Sequence, residues 1–74
     1  MRFVVRQTFR GATSDVTEGY RRPAHAQREA LACAERWARA GIVGGVVEVV
    51  NMDTEAVVWT ARIPQRYKIE LQGD

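Results

Sequence analysis

PAHAQREALACAERWARAG, residues 23–41, is the stretch whose reading decides the fold. Alanine dominates it, and neither proline nor glycine interrupts residues 24–40, so it carries strong intrinsic helix propensity. Pro23 suits a first helical turn, where its missing N–H would have had no partner. Gly41 suits the C′ position, where the chain must turn left-handed to leave the helix. At 100° per residue, Ala26, Ala30, Cys33, Ala34, Trp37 and Ala38 gather on one side with Leu31 at its margin. Arg28, Glu35, Arg36 and Arg39 fall on the other, with Glu35 and Arg39 in the favourable i,i+4 order. The alanine side is thin, so a sheet can approach closely, with Trp37 supplying bulk.

Strand patterns flank this helix. RFVVRQTFR, residues 2–10, reads as a first strand in which Phe3, Val5 and Phe9 face a core. Arg2, Arg6 and Arg10 would then project from the other face at intervals of roughly 13 Å. Residues 11–15 are small and turn-forming and read as a loop. Residues 16–20 alternate and suit a short strand returning beside the first, although Gly19 weakens it. After the helix, Gly44-Gly45 suits a bulge or a flexible lead into the next strand. Val46–Val50 and Ala56–Arg62 are rich in β-branched and aromatic residues, and residues 51–55 have the composition of a hairpin loop. Pro64 is expected to stop that strand, and Tyr67–Gln72 alternates as a last, half-exposed one.

The order β-(β)-α-β-β-β predicts one α+β domain over residues 1–74: an antiparallel sheet of four to five strands with a single helix on one face. Trp37 and Leu31 would meet Phe3, Val5, Phe9, Val47, Val49, Trp59, Ile69 and Leu71. The opposite face would carry Arg2, Arg6, Arg10, Glu48, Thr60, Arg62, Lys68 and Glu70.

Seventy-four residues can build only a modest core. With one cysteine no internal disulfide can form, which suits a reducing cytosol. No stretch approaches the roughly 20 apolar residues that span a bilayer, and Arg6 and Arg10 interrupt any leader-like apolar run. A cytoplasmic protein without membrane contact is expected. Net charge is +2, unevenly spread: residues 1–39 hold eight arginines against four acids, while residues 40–74 hold three bases against five acids. Ten of the eleven basic residues are arginine, the residue that grips phosphate and carboxylate bidentately. A GC-rich genome would also favour such an Ala-, Arg- and Val-rich chain.

Catalysis needs groups that can pair. His25 and Cys33, the sole histidine and cysteine, lie about 12 Å apart along one helix and roughly 80° apart around it. They cannot form a nucleophile–base couple, and His25 reads as solvated, Cys33 as a small core residue. No metal-ligand spacing or phosphate loop appears. An enzyme is therefore not expected, nor a metal or cofactor. What remains is arginine: Arg2, Arg6 and Arg10 on one strand, Arg21 and Arg22 at the helix start, and Arg62 and Lys68 on later strands. Such a face could track a phosphate backbone, dock an acidic protein surface, or simply be solvated and neutralised by Glu48 and Glu70. The paired aromatic submotifs of an RNA-recognition sheet are missing.

The succession of an Arg2–Arg10 strand, a polar loop, Gly19-Tyr20-Arg21-Arg22 leading into Pro23, one helix ending at Gly41 and a hairpin from Gly45 to Arg62 resembles small phage-encoded anti-CRISPR proteins. The resemblance lies in element order and covers most of the chain. It implies an antiparallel sheet wrapped on one helix and a non-enzymatic inhibitor of a host type I CRISPR surveillance complex that blocks target DNA binding. DNA-mimicking inhibitors are usually acidic. A basic chain of this layout would instead set arginines against acidic protein surfaces or nucleic acid, as a monomer or homodimer. The alternative is a small nucleic-acid-binding domain using the same arginine face directly, and a third possibility is a structural or oligomerisation module.

Overall fold

The computed structural model describes residues 2–16 and 19–73. They form β1 (Phe3–Phe9), β2 (Ala12–Asp15), α1 (Pro23–Ala40), β3 (Val46–Asn51), β4 (Ala56–Gln65) and β5 (Lys68–Gly73). The strands make one antiparallel sheet in the order β2-β1-β3-β4-β5. One face of this sheet carries α1, so the α+β architecture is the expected one.

The helix is bounded as its sequence suggests. Pro23 occupies the first turn, and Gly41 leaves at φ 77°, its N–H directed at the carbonyls of Trp37 and Ala38. Ala26, Ala30, Cys33, Ala34 and Ala38 are buried against Phe3, Val5, Val47, Val49, Trp59, Ala61 and Ile63. Small side chains on the helix let its backbone approach the sheet, and valines fill the space beneath. Trp37 makes an edge contact with Phe9, ring centroids 6.2 Å apart. It also closes over Gly45, where a Cβ would lie 2.5 Å from the indole ring. Gly45 is thus a buried site of close approach rather than a flexible lead-in.

Four expectations need correction. The stretch read as a loop, residues 11–15, contains β2. Arg10 and Gly11 both take positive φ (52° and 81°), the signature of the two-residue hairpin turn whose twist suits antiparallel strands. Ala12–Asp15 then pair with Phe9–Arg6, with Thr8 and Thr13 sharing a hydroxyl hydrogen bond of 3.0 Å. Past β2, Val16 N donates to Val5 O, and Tyr20 and Phe3 exchange two backbone hydrogen bonds. The chain therefore does return beside β1, but Thr17 and Glu18 of the expected 16–20 strand lie outside the described residues.

The second correction concerns Pro64, which does not stop β4. The strand runs to Gln65, and the β4–β5 register shifts between Arg62 and Gln65. Pro64 has no N–H to lend to a ladder, and it sits where the ladder is already irregular. Thirdly, Tyr67 belongs to the β4–β5 turn at φ 65° rather than to β5, its N–H bonded to Ala38 O on the helix. Lastly, Leu71 is 56% exposed. It lies on the helix side, opposite Ala61, but α1 does not cover it.

Between β3 and β4 the loop is as expected except that Asn51 belongs to β3. Asn51 Oδ1 accepts from Asp53 N and Thr54 Oγ1 from Ala56 N, turn-forming bonds that draw on short polar side chains. A register shift at Val49/Val50 leaves Val58 as an extra residue in β4, a bulge whose side chain packs on the core margin. Ile63, Ala61 and Val58 join a core in which the sequence pattern had not placed them.

Candidate functional site

Cross-strand register turns the uncovered sheet face into three rows. Val4, Val50 and Val57 form an apolar row, with Val4 and Val50 buried and Val57 exposed. The next row reads Asp15, Arg6, Glu48, Thr60, Gln72. The third reads Thr13, Thr8, Val46, Arg62, Glu70. Each arginine on this face thus stands beside a carboxylate.

Arg6 is the clearest case. Its Nε donates to Asp15 Oδ1 at 2.8 Å and Nη2 to Oδ2 at 3.4 Å. That hydrogen bond and the charge of Asp15 hold the guanidinium above its ordinary value against a slight burial cost, and Glu48 pulls the same way. Arg62 stands opposite Glu70, and Lys68 lies two residues from Glu70 on the same side of β5. Arg6, Arg62 and Lys68 are therefore balanced in number by Asp15, Glu48 and Glu70.

The expected row of Arg2, Arg6 and Arg10 is not one array. Arg10 has left the strand for the turn, its guanidinium 5.2 Å from the Phe9 ring centroid. Arg2 precedes β1 and lies along Gly19, where a Cβ would come 2.5 Å from Arg2 Nε. Strand spacing alone places these three at even intervals, and the turn removes one of them.

Positive charge collects instead on the solvent side of α1. Arg21 and Arg22, both exposed, open the helix, and Arg28, Arg36 and Arg39 continue along it. On a helix of 3.6 residues per turn, Arg28, Arg36 and Arg39 fall within about 80° of one another, and Arg22 to Arg39 spans about 25 Å. Among the described residues Glu29 and Glu35 are the acids on this surface, with Glu29 3.8 Å from Arg36. Arg22 is the N-cap residue and makes no side-chain capping bond, and the first turn contains no acid. Cations here add to the positive end of the helix dipole rather than offset it. At the other end Arg66 donates to Arg39 O at 3.1 Å and lies 5.0 Å from the Tyr67 ring, tying the β4–β5 turn to the helix.

The helix arginines were assigned to the outer surface by periodicity but not to the site. The signal was there: an arginine excess over acids around one side of a helical wheel. Other chemistry is dispersed. His25 is exposed, whereas Cys33 is buried and accepts a hydrogen bond from Gln7 Nε2, which satisfies a polar side chain facing the helix. No group of three or more His, Cys, Asp or Glu among the described residues could hold a metal ion. No helix among them is long and apolar enough to cross a membrane. A groove of about 420 Å³ lies between the helix start and the strand ends, lined by Phe3, Pro23, Ala24, Gln27, Asn51 and Val58, without a charged side chain. Comparison with family models, with curated proteins and with solved structures finds no match to this chain.

Proposed function

We propose that this chain is a non-enzymatic binding protein that docks on an anionic surface of a nucleic-acid-handling complex through the solvent side of its helix. One observation carries the reading: Arg28, Arg36 and Arg39 lie on that side, with exposed Arg21 and Arg22 at its start, against Glu29 and Glu35 among the described residues, while the sheet face is balanced. Exposed arginines in such excess raise the local potential, steer an anionic partner inward and grip its carboxylates or phosphates bidentately. Of the residues favoured by sequence, Arg21 and Arg22 belong to this surface. Arg6 and Arg62 already have acidic neighbours.

The resemblance in element order to small anti-CRISPR proteins supports a phage or mobile-element inhibitor of a type I CRISPR surveillance complex, one that blocks target DNA binding. Two titrations test this: the chain against an isolated type I surveillance complex, and against a plain DNA duplex, each over a salt series. Saturable binding to the complex with only feeble duplex binding is expected. Steeply salt-dependent duplex binding with none to the complex would replace the reading with a small nucleic-acid-binding domain. Binding to neither would remove it.

A further inference from the structure

β5 ends the sheet on one side, pairing with β4 alone among the described strands. Lys68 and residues 70–73 are exposed, Leu71 at 56%. Such an edge presents a row of unused backbone donors and acceptors, and proteins commonly guard it with a lysine. Here Lys68 is followed two residues later by Glu70 on the same face, so a second copy laid antiparallel would meet the opposite charge. We infer that β5 pairs with the β5 of a second copy of this chain, antiparallel and centred on Ile69, joining two sheets into one of ten strands.

Symmetry and charge select the register. A two-fold axis normal to the sheet keeps helix-side residues opposite helix-side residues, so the axis must pass through a residue position. Centred on Lys68, two ammonium groups would face each other; centred on Glu70, two carboxylates would. A centre on Leu71 sets Glu70 against Gln72 and carries Lys68 past the Gly73 end of the second copy's β5. Centred on Ile69, Lys68 opposes Glu70 of the second copy, and the reciprocal pair forms too. Glu70 already stands opposite Arg62, so charges alternate from Arg62 through Glu70 to Lys68 of the second copy.

The helix side fits the same register. Ile69 meets Ile69 of the second copy, and past the strand's start Leu71 of the second copy comes beside the β4–β5 turn, where Tyr67 is 71% exposed. Beside Tyr67 a shallow groove runs between strand and helix, lined by Glu35, Ala38, Arg39, Tyr67 and Ile69. Leu71, which its own helix leaves bare, reaches the second copy's groove. Apolar contact and charge pairing thus point to one alignment, and both copies contribute alike.

Sedimentation velocity over a micromolar to millimolar concentration series tests the pairing, using the chain and its Lys68→Glu and Glu70→Lys variants. The wild-type chain is expected to show a concentration-dependent dimer. Each variant alone opposes like charges at both pairs, weakening dimerisation about tenfold or more. Mixing the two variants restores both opposite-charge pairs, so the mixture dimerises within about twofold of wild type. Leu71→Ser, which alters no charge, weakens the dimer while circular dichroism stays native. A chain that remains monomeric throughout, including one whose edge accepts a strand of some other protein, would overturn the inference. So would a dimer indifferent to either charge reversal, or a mixture no better than its components.

Discussion

Arg6 and Asp15 face each other across the β1–β2 hairpin, two guanidinium nitrogens meeting two carboxylate oxygens at 2.8 and 3.4 Å. On its other flank Arg6 stands opposite Glu48 of β3. An arginine that looks free in the linear sequence is therefore held between two acids by register. Its charge is committed within the sheet, whereas on the helix the described arginines outnumber the acids.

Arg6→Gln should test that commitment. Both side chains of the pair are about a third exposed or more, at 32% and 40%, so solvent screens the pair heavily. A loss of about 0.5 kcal/mol is expected, read as a fall of about 2–4 °C in a thermal melt at low salt and less in high salt. Binding to the surveillance complex should change less than about twofold. The raised Arg6 pKa stabilises the fold below the unfolded-state value and is lost only as pH rises through the folded one. Since both lie far above neutrality, melts across the neutral range should show no pH dependence from Arg6.

Arg22→Asp separates stability from function. Residue 22 has the extended backbone of an N-cap but no capping side chain, and aspartate both caps and suits the helix dipole. The variant should be more stable by about 1 kcal/mol in denaturant unfolding. If the helix arginines dock the partner, the same variant should bind the complex more weakly. Gain in stability without loss of binding would remove Arg22 from the surface.

Gly45→Ala should be costly. Its Cβ would stand 2.5 and 2.6 Å from ring carbons of Trp37, which Phe9 also contacts. Overpacking of this kind costs about 1–3 kcal/mol. Combined with Trp37→Leu, the alanine should cost much less than alone, a coupling that chemical denaturation of the four proteins would measure.

Arg10→Asn should stabilise the β1–β2 hairpin. Arg10 holds φ 52° in the turn, and asparagine before glycine takes that conformation more readily. The gain is offset in part by the lost contact with the Phe9 ring. A net gain of about 0.5 kcal/mol is expected, visible as slower hydrogen exchange at Ala12 and Ser14, whose amides face β1.

The helix and the β3–β4 hairpin were legible because each depends on local pattern: alanine at helical spacing between Pro23 and Gly41, and valines around a polar loop. β2 was not. Residues 11–15 have turn composition, and they become a strand only because Arg10 and Gly11 reverse the chain onto β1. Pro64 misled for a related reason, since a proline is harmless where the partner strand already breaks register. The site suffered most from this non-locality. Counting charges along a strand shows Arg6 and Arg62, whereas their acids, Asp15, Glu48 and Glu70, come from neighbouring strands. The helix arginines needed no register at all, only a wheel, and were readable throughout.

The most direct test compares two charge changes in one titration against the isolated type I surveillance complex. One protein carries R28E/R36E/R39E on the helix, the other R6Q/R62Q on the sheet, each shown to be folded by circular dichroism. The helix variant should lose affinity on the order of a hundredfold, about 1 kcal/mol for each reversed charge, and the sheet variant less than about threefold. The opposite ranking, with the sheet variant crippled and the helix variant binding as the unaltered chain does, would contradict the placement of the docking surface on α1.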